Sequence, residues 1–450
     1  MKRGMAVFAW MVAACCTCLG ATLEVGPGRD YDRIEAAIAK AQPGDVIVVH
    51  PQPDNAPYER VAVYITTPGL TIQGAVAASG AAGQRVKLSG KGFDYSGRGS
   101  VPRAMFQFNR DADGCTLANF DLSGAHNESH NGAAVRINQA DRITIRNCEI
   151  HHNDMGIMSS SAGSLDTAAD QLIESCIIHH NGDKTHPGYS HNLYLGGASV
   201  TLRYCWVHHS TTGHNVKSRA HINRIEYCYI ESSANREIDL VDAEDTARPG
   251  SDALLLGNII VKDPDCPGNR GVIHFGQDIH GQHDGAIYLV NNTIITPFVS
   301  SVLELSASLT AAQLYNNIIY NPNPDIRRAP LVTARAGANL RNAVGDHNWC
   351  SPAYTHRLTA TGIKLRDNDF HGDPAPQFVD PDHHDYHLAG PVRGITGAGV
   401  ALHRLTLPDP VHAAGVTQKT VLQSQYRHPA SGEPRVERPR PDLGAYHLMR

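Results

Sequence analysis

The sequence predicts an all-β fold, a single-stranded right-handed parallel β-helix (a solenoid) with an N-terminal capping helix. Three observations predict it. A phrase of the form Ile-x-x-Cys/Asn-x-Ile recurs in Ile145–Ile150, Ile173–Ile178, Leu202–Val207 and Ile225–Ile230. It begins upstream at Phe120 and continues at Asn258, Asn292 and Asn317, with spacings of 28, 28, 29, 23, 30, 34 and 25 residues. That period suits one coil of a β-helix and is too short for a four-stranded propeller blade. The second observation is that His191–Leu195, His214–Ser218 and Arg236–Leu240 align without gaps as short β-type runs. The third is Tyr31–Ala41, where Ile34, Ala37, Ile38 and Ala41 fall at helical spacing, as a helix covering the open end of a first coil requires.

Taken in order, residues 1–21 read as an export signal, with Lys2 and Arg3 ahead of an apolar run and then small residues. The expected destination is the periplasm or the extracellular space. Val12-Ala-Ala-Cys15 also fits a lipoprotein box, which would anchor the chain through Cys15. Residues 22–400 form the capped β-helix, and residues 401–450 a closing segment and polar tail. Gln377–Asp380, Asp385–Leu388 and Asp442–Tyr446 read as short closing strands, and Ser424–Pro441 as a surface loop or extended tail. No later run is long and apolar enough to span a bilayer.

The 450 residues are 41% hydrophobic and 18% charged, enough for a sizeable core. A net charge of −5 gives no basic footprint for nucleic acid. In a β-helix, equivalent residues of successive coils stack about 4.8 Å apart. Phe120, Cys148, Cys176, Cys205, Cys228, Asn258, Asn292 and Asn317 are therefore expected in one inward column, the cysteines as free thiols. The pairs His151-His152, His179-His180 and His208-His209 recur at equal offsets after the cysteines and read as a corner ladder rather than a metal site.

Alternation along the aligned runs puts Leu193/Leu195, Val216/Ser218 and Ile238/Leu240 on one face. Asn192/Tyr194, Asn215/Lys217 and Glu237/Asp239 are expected on the other. Extending the outward column gives Gln107, Arg136, Met158, Tyr194, Lys217, Asp239, His274 and Glu304, with His191, His214 and Arg236 just before their strands. Such a density of polar groups points to a groove for an acidic polysaccharide, bound by a monomer. Arg136, His191, Tyr194, His214 and His274 are the expected substrate-binding residues. Breaking a uronate chain by β-elimination needs a base for a carbon-bound proton and a positive group for the substrate carboxylate. Lys217, with Arg219 two residues on, supplies both types. Asp239 one rung away would oppose a lysine base unless a cation neutralised it. Asn192, Asn215, Glu237 and Asp239 offer oxygen ligands of the kind Ca²⁺ takes. A rival reading uses Glu237 and Asp239 as the acid/base pair of a hydrolase or epimerase; a third is a non-catalytic glycan-binding β-helix.

The Tyr31–Ala41 cap with Gly44-Asp45, the Asn-x-Ile coils and the Asp442-Leu-Gly-Ala-Tyr446 segment resemble the pectate-lyase-like superfamily of secreted right-handed β-helices, over approximately residues 22–450. That resemblance implies fold and a glycan-related role without selecting a reaction. Asn215-Val-Lys-Ser218 is similar to the lysine strand of β-helical polysaccharide lyases of families six and nine, which implies Lys217 as the base. Arg236 is the nearest match to an arginine that family six carries one coil later, though Asp239 occupies the lysine column there. The Asn-Thr-Asp and Asp-Asp runs of β-helical galacturonases and the Asp-Pro-His-Asp motif of mannuronan epimerases are absent.

Overall fold

The computed structural model describes residues 20–448 apart from residues 76–84, 243–247, 279–282, 327, 356–357, 366–373, 402–421 and 437. The expected signal, with Cys15, lies almost wholly outside the described residues. From Thr22 onward the chain winds as a parallel β-helix with three sheets running along its axis. The first sheet begins with Thr22–Val25 and Val46–Val49 and runs to Ala343–Cys350 and Gly362–Leu365. The second runs from Tyr58–Glu59 to Ile318–Tyr320. The third has ten strands, from Val63–Ile65 to Val332–Arg335.

The register follows the repeat. Ile145 pairs with Ile173, Ile173 with Leu202, Leu202 with Ile225, Ile225 with Leu255, and the row continues through Leu289 and Leu314. These side chains are buried in one apolar stack. Fully burying each aliphatic side chain contributes roughly 1.5–3 kcal/mol, and this accumulates down the solenoid.

Between the first and second sheets the chain bends at a residue with positive φ. Asn119, Asn147, Ser175, Tyr204, Tyr227, Asn291, Asn316 and His347 all hold this conformation, with Gly257 among them. The glycine is needed there, because a Cβ on Gly257 would come within 2.7 Å of the Tyr227 ring. The following residue of each coil points inward. Phe120, Cys148, Cys176, Cys205, Cys228, Asn258, Asn292 and Asn317 are all fully buried, as the repeat implies. The cysteines are unbridged thiols; the Cys176 Sγ donates to the Glu174 carbonyl at 3.3 Å. Burial pushes the Cys148, Cys176 and Cys205 thiols well above their ordinary range. The asparagines form an amide ladder: Asn258 Nδ2 donates to Asn292 Oδ1 at 2.9 Å, and Asn292 Nδ2 to Asn317 Oδ1 at 3.0 Å.

The cap helix is shorter than expected, Ile34–Ile38, and Arg33 at its N-cap makes no side-chain hydrogen bond. It still buries Ile34, Ala37 and Ile38 against the first coil. At the other end, Phe378–Asp380 and Asp385–Leu388 pair antiparallel. The Ser424–Pro441 stretch departs from a loop or extended tail. Ser424–Arg427 and Ser431–Pro434 form an antiparallel hairpin. Asp442–Tyr446 is not a strand but packs as irregular chain. Tyr426, Ala445 and Tyr446 join Tyr229, Ile259 and Ile295 in an apolar cluster on the second sheet's outer face. Those outward Tyr and Ile side chains need an apolar cover, which sequence alone did not attach to the tail. Arg435 holds the segment by donating to the carbonyls of Asp442 and Gly444 at 3.1 Å each.

Candidate functional site

The outer face of the third sheet carries the expected column rung by rung: Tyr64, Gln107, Arg136, Met158, Tyr194, Lys217, Asp239, His274, Glu304 and Thr333 are successive partners. Alternation places Lys217 on this face because Val216 and Ser218 are turned into the core. At mid-column the charged groups converge on Asp239. Its Oδ2 lies 2.9 Å from Lys217 Nζ and 3.6 Å from His214 Nε2. Its Oδ1 lies 2.8 Å from His274 Nδ1 and 3.8 Å from Arg236 Nη1. Burial alone would raise this carboxyl, but the His274 hydrogen bond and the surrounding cations hold it well below the usual carboxylate range.

Around that centre the contacts extend outward. Lys217 Nζ also lies 3.3 Å from Asp278 Oδ2, and Arg219 ion-pairs the same carboxylate. Arg236 Nη2 is 3.2 Å from Glu304, which also pairs with Arg335. His274 bridges Asp239 and Ser306, its Nδ1 facing the Asp239 carboxylate and its Nε2 lying 2.8 Å from Ser306 Oγ. The His191 and His214 rings stack at 5.1 Å, and the His214 backbone N–H donates to His191 Nδ1 at 3.0 Å. Burial pushes His214 down to about 4 and His191 well below its ordinary value, so both are neutral imidazoles at pH 7. Tyr194 lies edge-on to His191 and under the Arg219 guanidinium.

The fold thus gathers Lys217, Arg219, Arg236, His214, His274 and Asp239, with His191 and Tyr194 at the border. Arg136 is on the same face three rungs from Lys217, beside Met158 rather than in the cluster. Asn192, Asn215 and Glu237 are not on this face, which corrects the expected outward pairing. Their strands begin one residue later, at Leu193, Val216 and Ile238. The three therefore sit at the corner and turn inward, fully buried. There they continue a second amide ladder: Asn153 donates to Asn181, Asn181 to Asn192, Asn192 to Asn215, and Asn215 Nδ2 to Glu237 Oε2 at 2.7 Å. Each asparagine passes one N–H onward, so the run ends where a residue can only accept. Glu237 is that acceptor, and the fully buried Lys262 ammonium lies 3.3 Å from its Oε1.

These positions decide two expectations. Three of the four anticipated calcium ligands are sealed in a hydrogen-bonded ladder, and both oxygens of the fourth, Asp239, already face cationic or N–H donors. The set does not fit calcium, which needs six to eight oxygens around one point. Glu237 and Asp239 also do not face a common substrate, so they are not an acid/base pair. Asp278, Arg335 and Lys262 were not foreseen. Asp278 lies in a loop beyond its strand and Lys262 just past another, where alternation assigns no face. The histidine pairs form the corner ladder anticipated, with His151 over His179 at 5.0 Å and His179 over His208 at 4.8 Å. A cleft of about 550 Å³ opens along that corner, beside the charged face rather than on it.

Among known proteins, residues 107–296 match the family described as right handed beta helix region. No curated protein matches the sequence. Solved structures similar to the chain include pectate lyase Pel9A, at 13% identity and a TM-score of 0.47, covering 95% of this chain and 96% of that one. A tailspike protein double mutant of E. coli bacteriophage HK620, solved with a pentasaccharide, is 12% identical over 78% of this chain and 60% of its own, with a TM-score of 0.43. An alginate lyase from Paenibacillus sp. is 14% identical over 70% of this chain and 95% of its own, with a TM-score of 0.38. The strand register and the family match over residues 107–296 together give this chain the fold of a right-handed parallel β-helix.

Proposed function

We propose that the chain is a polysaccharide-active protein that cleaves an acidic, uronate-containing polysaccharide by β-elimination, with Lys217 as base. The observation that carries this reading is the convergence of Lys217 and Asp239, on one sheet face, with Arg219, Arg236 and Asp278 from the chain just beside their strands. A uronate carboxylate entering the face competes with Asp278 for Arg219 and Lys217, since Asp278 is the more exposed of the two carboxylates on Lys217. Arg219 then neutralises the substrate carboxylate and Arg236 reinforces the positive field. Lys217, released from Asp278 and having given its own proton to solvent, takes the proton from the carbon beside that carboxylate; the Arg219 and Arg236 guanidiniums offset the charge of Asp239, which it still faces at 2.9 Å. The carbon–oxygen bond of the glycosidic link breaks as the adjacent double bond forms, and the departing oxygen takes a proton from water. Tyr194 offers a flat surface beside the base for a sugar ring, and Arg136 lies along the same column for a neighbouring uronate.

The test is a screen of acidic polysaccharides read in two ways, by new ultraviolet absorbance and by new reducing ends. Both signals together support elimination. Reducing ends without absorbance indicate hydrolysis, and binding without either supports a glycan-binding β-helix.

A further inference from the structure

Two loops near the charged face carry a separate constellation. His130 stands in the 125–132 loop and Asp183 and His186 in the loop before Leu193–Leu195. Their ligand atoms all lie within 4.8 Å of one another. His130 Nδ1 is 2.5 Å from Asp183 Oδ2, and the His130 and His186 rings stack with centroids 3.4 Å apart. We propose that His130, Asp183 and His186 form a binding site for a divalent transition ion of the Zn²⁺ or Co²⁺ kind, joining these two loops.

The chemistry favours that class of ion. Two imidazole nitrogens and one carboxylate oxygen are a donor set for Zn²⁺ or Co²⁺, whereas Ca²⁺ and Mg²⁺ prefer oxygen alone. Tetrahedral Zn²⁺ with ligands at about 2.0–2.1 Å sets them about 3.4 Å apart, so atoms now within 4.8 Å draw in by up to about 1.4 Å, His130 and Asp183 part by about 1 Å, and one of the two stacked imidazoles rotates to aim its nitrogen at the ion. The parts are already held. Asp183 Oδ1 accepts from the Thr185 backbone N–H at 2.8 Å and from its hydroxyl at 2.7 Å, which leaves Oδ2 directed at His130. The 125–132 loop is fastened by Asp154, whose Oδ2 accepts from the backbone of Asn127 at 2.9 Å and of Gly132 at 3.0 Å. His130 and Asp183 are partly enclosed, with side chains 26% and 22% exposed, and His186 is on the surface, so the site is reachable and has room for a water or a further ligand. Ser190 Oγ donates to the His130 carbonyl at 3.2 Å, one residue before His191 of the charged face. An ion here fixes the wall of that face without entering its chemistry.

The experiment is titration of the metal-free full chain with Co²⁺ alone, followed by its visible absorption, and with Zn²⁺ alone by calorimetry. One ion per chain is expected. Loss of a ligand in His130→Ala, His186→Ala or Asp183→Asn should weaken it at least about tenfold, since even partners behind the ligands are worth 10–100-fold. His180→Ala and His209→Ala, in the corner ladder, should leave the affinity unchanged. Circular dichroism confirms that each variant is folded. Absence of a Co²⁺ spectrum at millimolar metal, unchanged affinity in the His130→Ala/His186→Ala double variant, or loss of binding only in the ladder variants would overturn the proposal.

Discussion

Lys262 Nζ and Glu237 Oε1 lie 3.3 Å apart, both side chains sealed from solvent, at the end of an amide ladder that runs up the corner of the solenoid. The ammonium supplies the donors that the Glu237 carboxylate needs, when ionised, once the asparagines stop. It also donates to the Ser233 carbonyl at 3.5 Å and to that of Asn235.

Breaking one side of this pair is predicted to be expensive. Lys262→Met leaves Glu237 without its counter-charge and should cost about 3–5 kcal/mol, the range for unpairing a buried ion. Glu237→Gln should cost less, because an amide still accepts from Asn215. Burial raises Glu237 to about 7, so the folded state binds a proton that the unfolded state releases above its ordinary value of 4.5. Glu237 therefore costs stability progressively as pH rises from about 4.5 to 7, and Glu237→Gln should gain relative to the parent over that window. Urea unfolding at pH 5 and pH 8 measures both effects.

The corner histidines predict the opposite slope. Burial, with neighbouring imidazoles, pushes His208 down to about 2 and His180 to about 4. Below the ordinary histidine value the unfolded chain takes up protons that these residues refuse. Stability should fall as pH drops from about 6.5, by about 2 kcal/mol from His208 alone on reaching pH 5. His208→Gln should flatten that slope in the same unfolding assay, and an unaltered slope would contradict the ladder's role.

Cys228 stands where the thiol column meets the asparagine column. Its backbone N–H donates to Asn258 Oδ1 at 2.9 Å, and its Sγ already accepts from the Cys205 N–H at 3.5 Å. Cys228→Asn should extend the ladder by one rung, donating to the Leu202 carbonyl as Asn258 donates to that of Ile225. Unfolding should show it within about 1 kcal/mol of the parent. Alkylation followed by mass spectrometry should label Cys148, Cys176, Cys205 and Cys228 only after denaturation, with no bridged peptides.

What the sequence made legible follows from periodicity. Phe120 to Asn317 and Gln107 to Glu304 each repeat once per coil, so a single register placed both columns. Alternation failed one residue outside the strands. Asn192, Asn215 and Glu237 precede Leu193, Val216 and Ile238, and a corner there reverses the face that an extended strand would give them. Lys262 and Asp278 follow their strands, where no period applies. The hairpin at Ser424–Pro434 escaped because its polar composition hides Tyr426, whose burial depends on an apolar cluster contributed by distant coils. Local composition cannot show a partner that only tertiary packing supplies.

Lys217 as the base on the third-sheet face is tested on the acidic polysaccharide that yields unsaturated product. Lys217 lies between two carboxylates outside the core, so Lys217→Ala should keep the far-ultraviolet circular dichroism of the parent. The measurement is the initial rate of absorbance increase for the parent, Lys217→Ala and Lys217→Arg. General-base removal typically costs about 10²–10⁴-fold, and a loss of that size in kcat is predicted for the alanine variant. Little recovery is expected with arginine, which does not give up its proton. Parental turnover in folded Lys217→Ala would contradict the assignment.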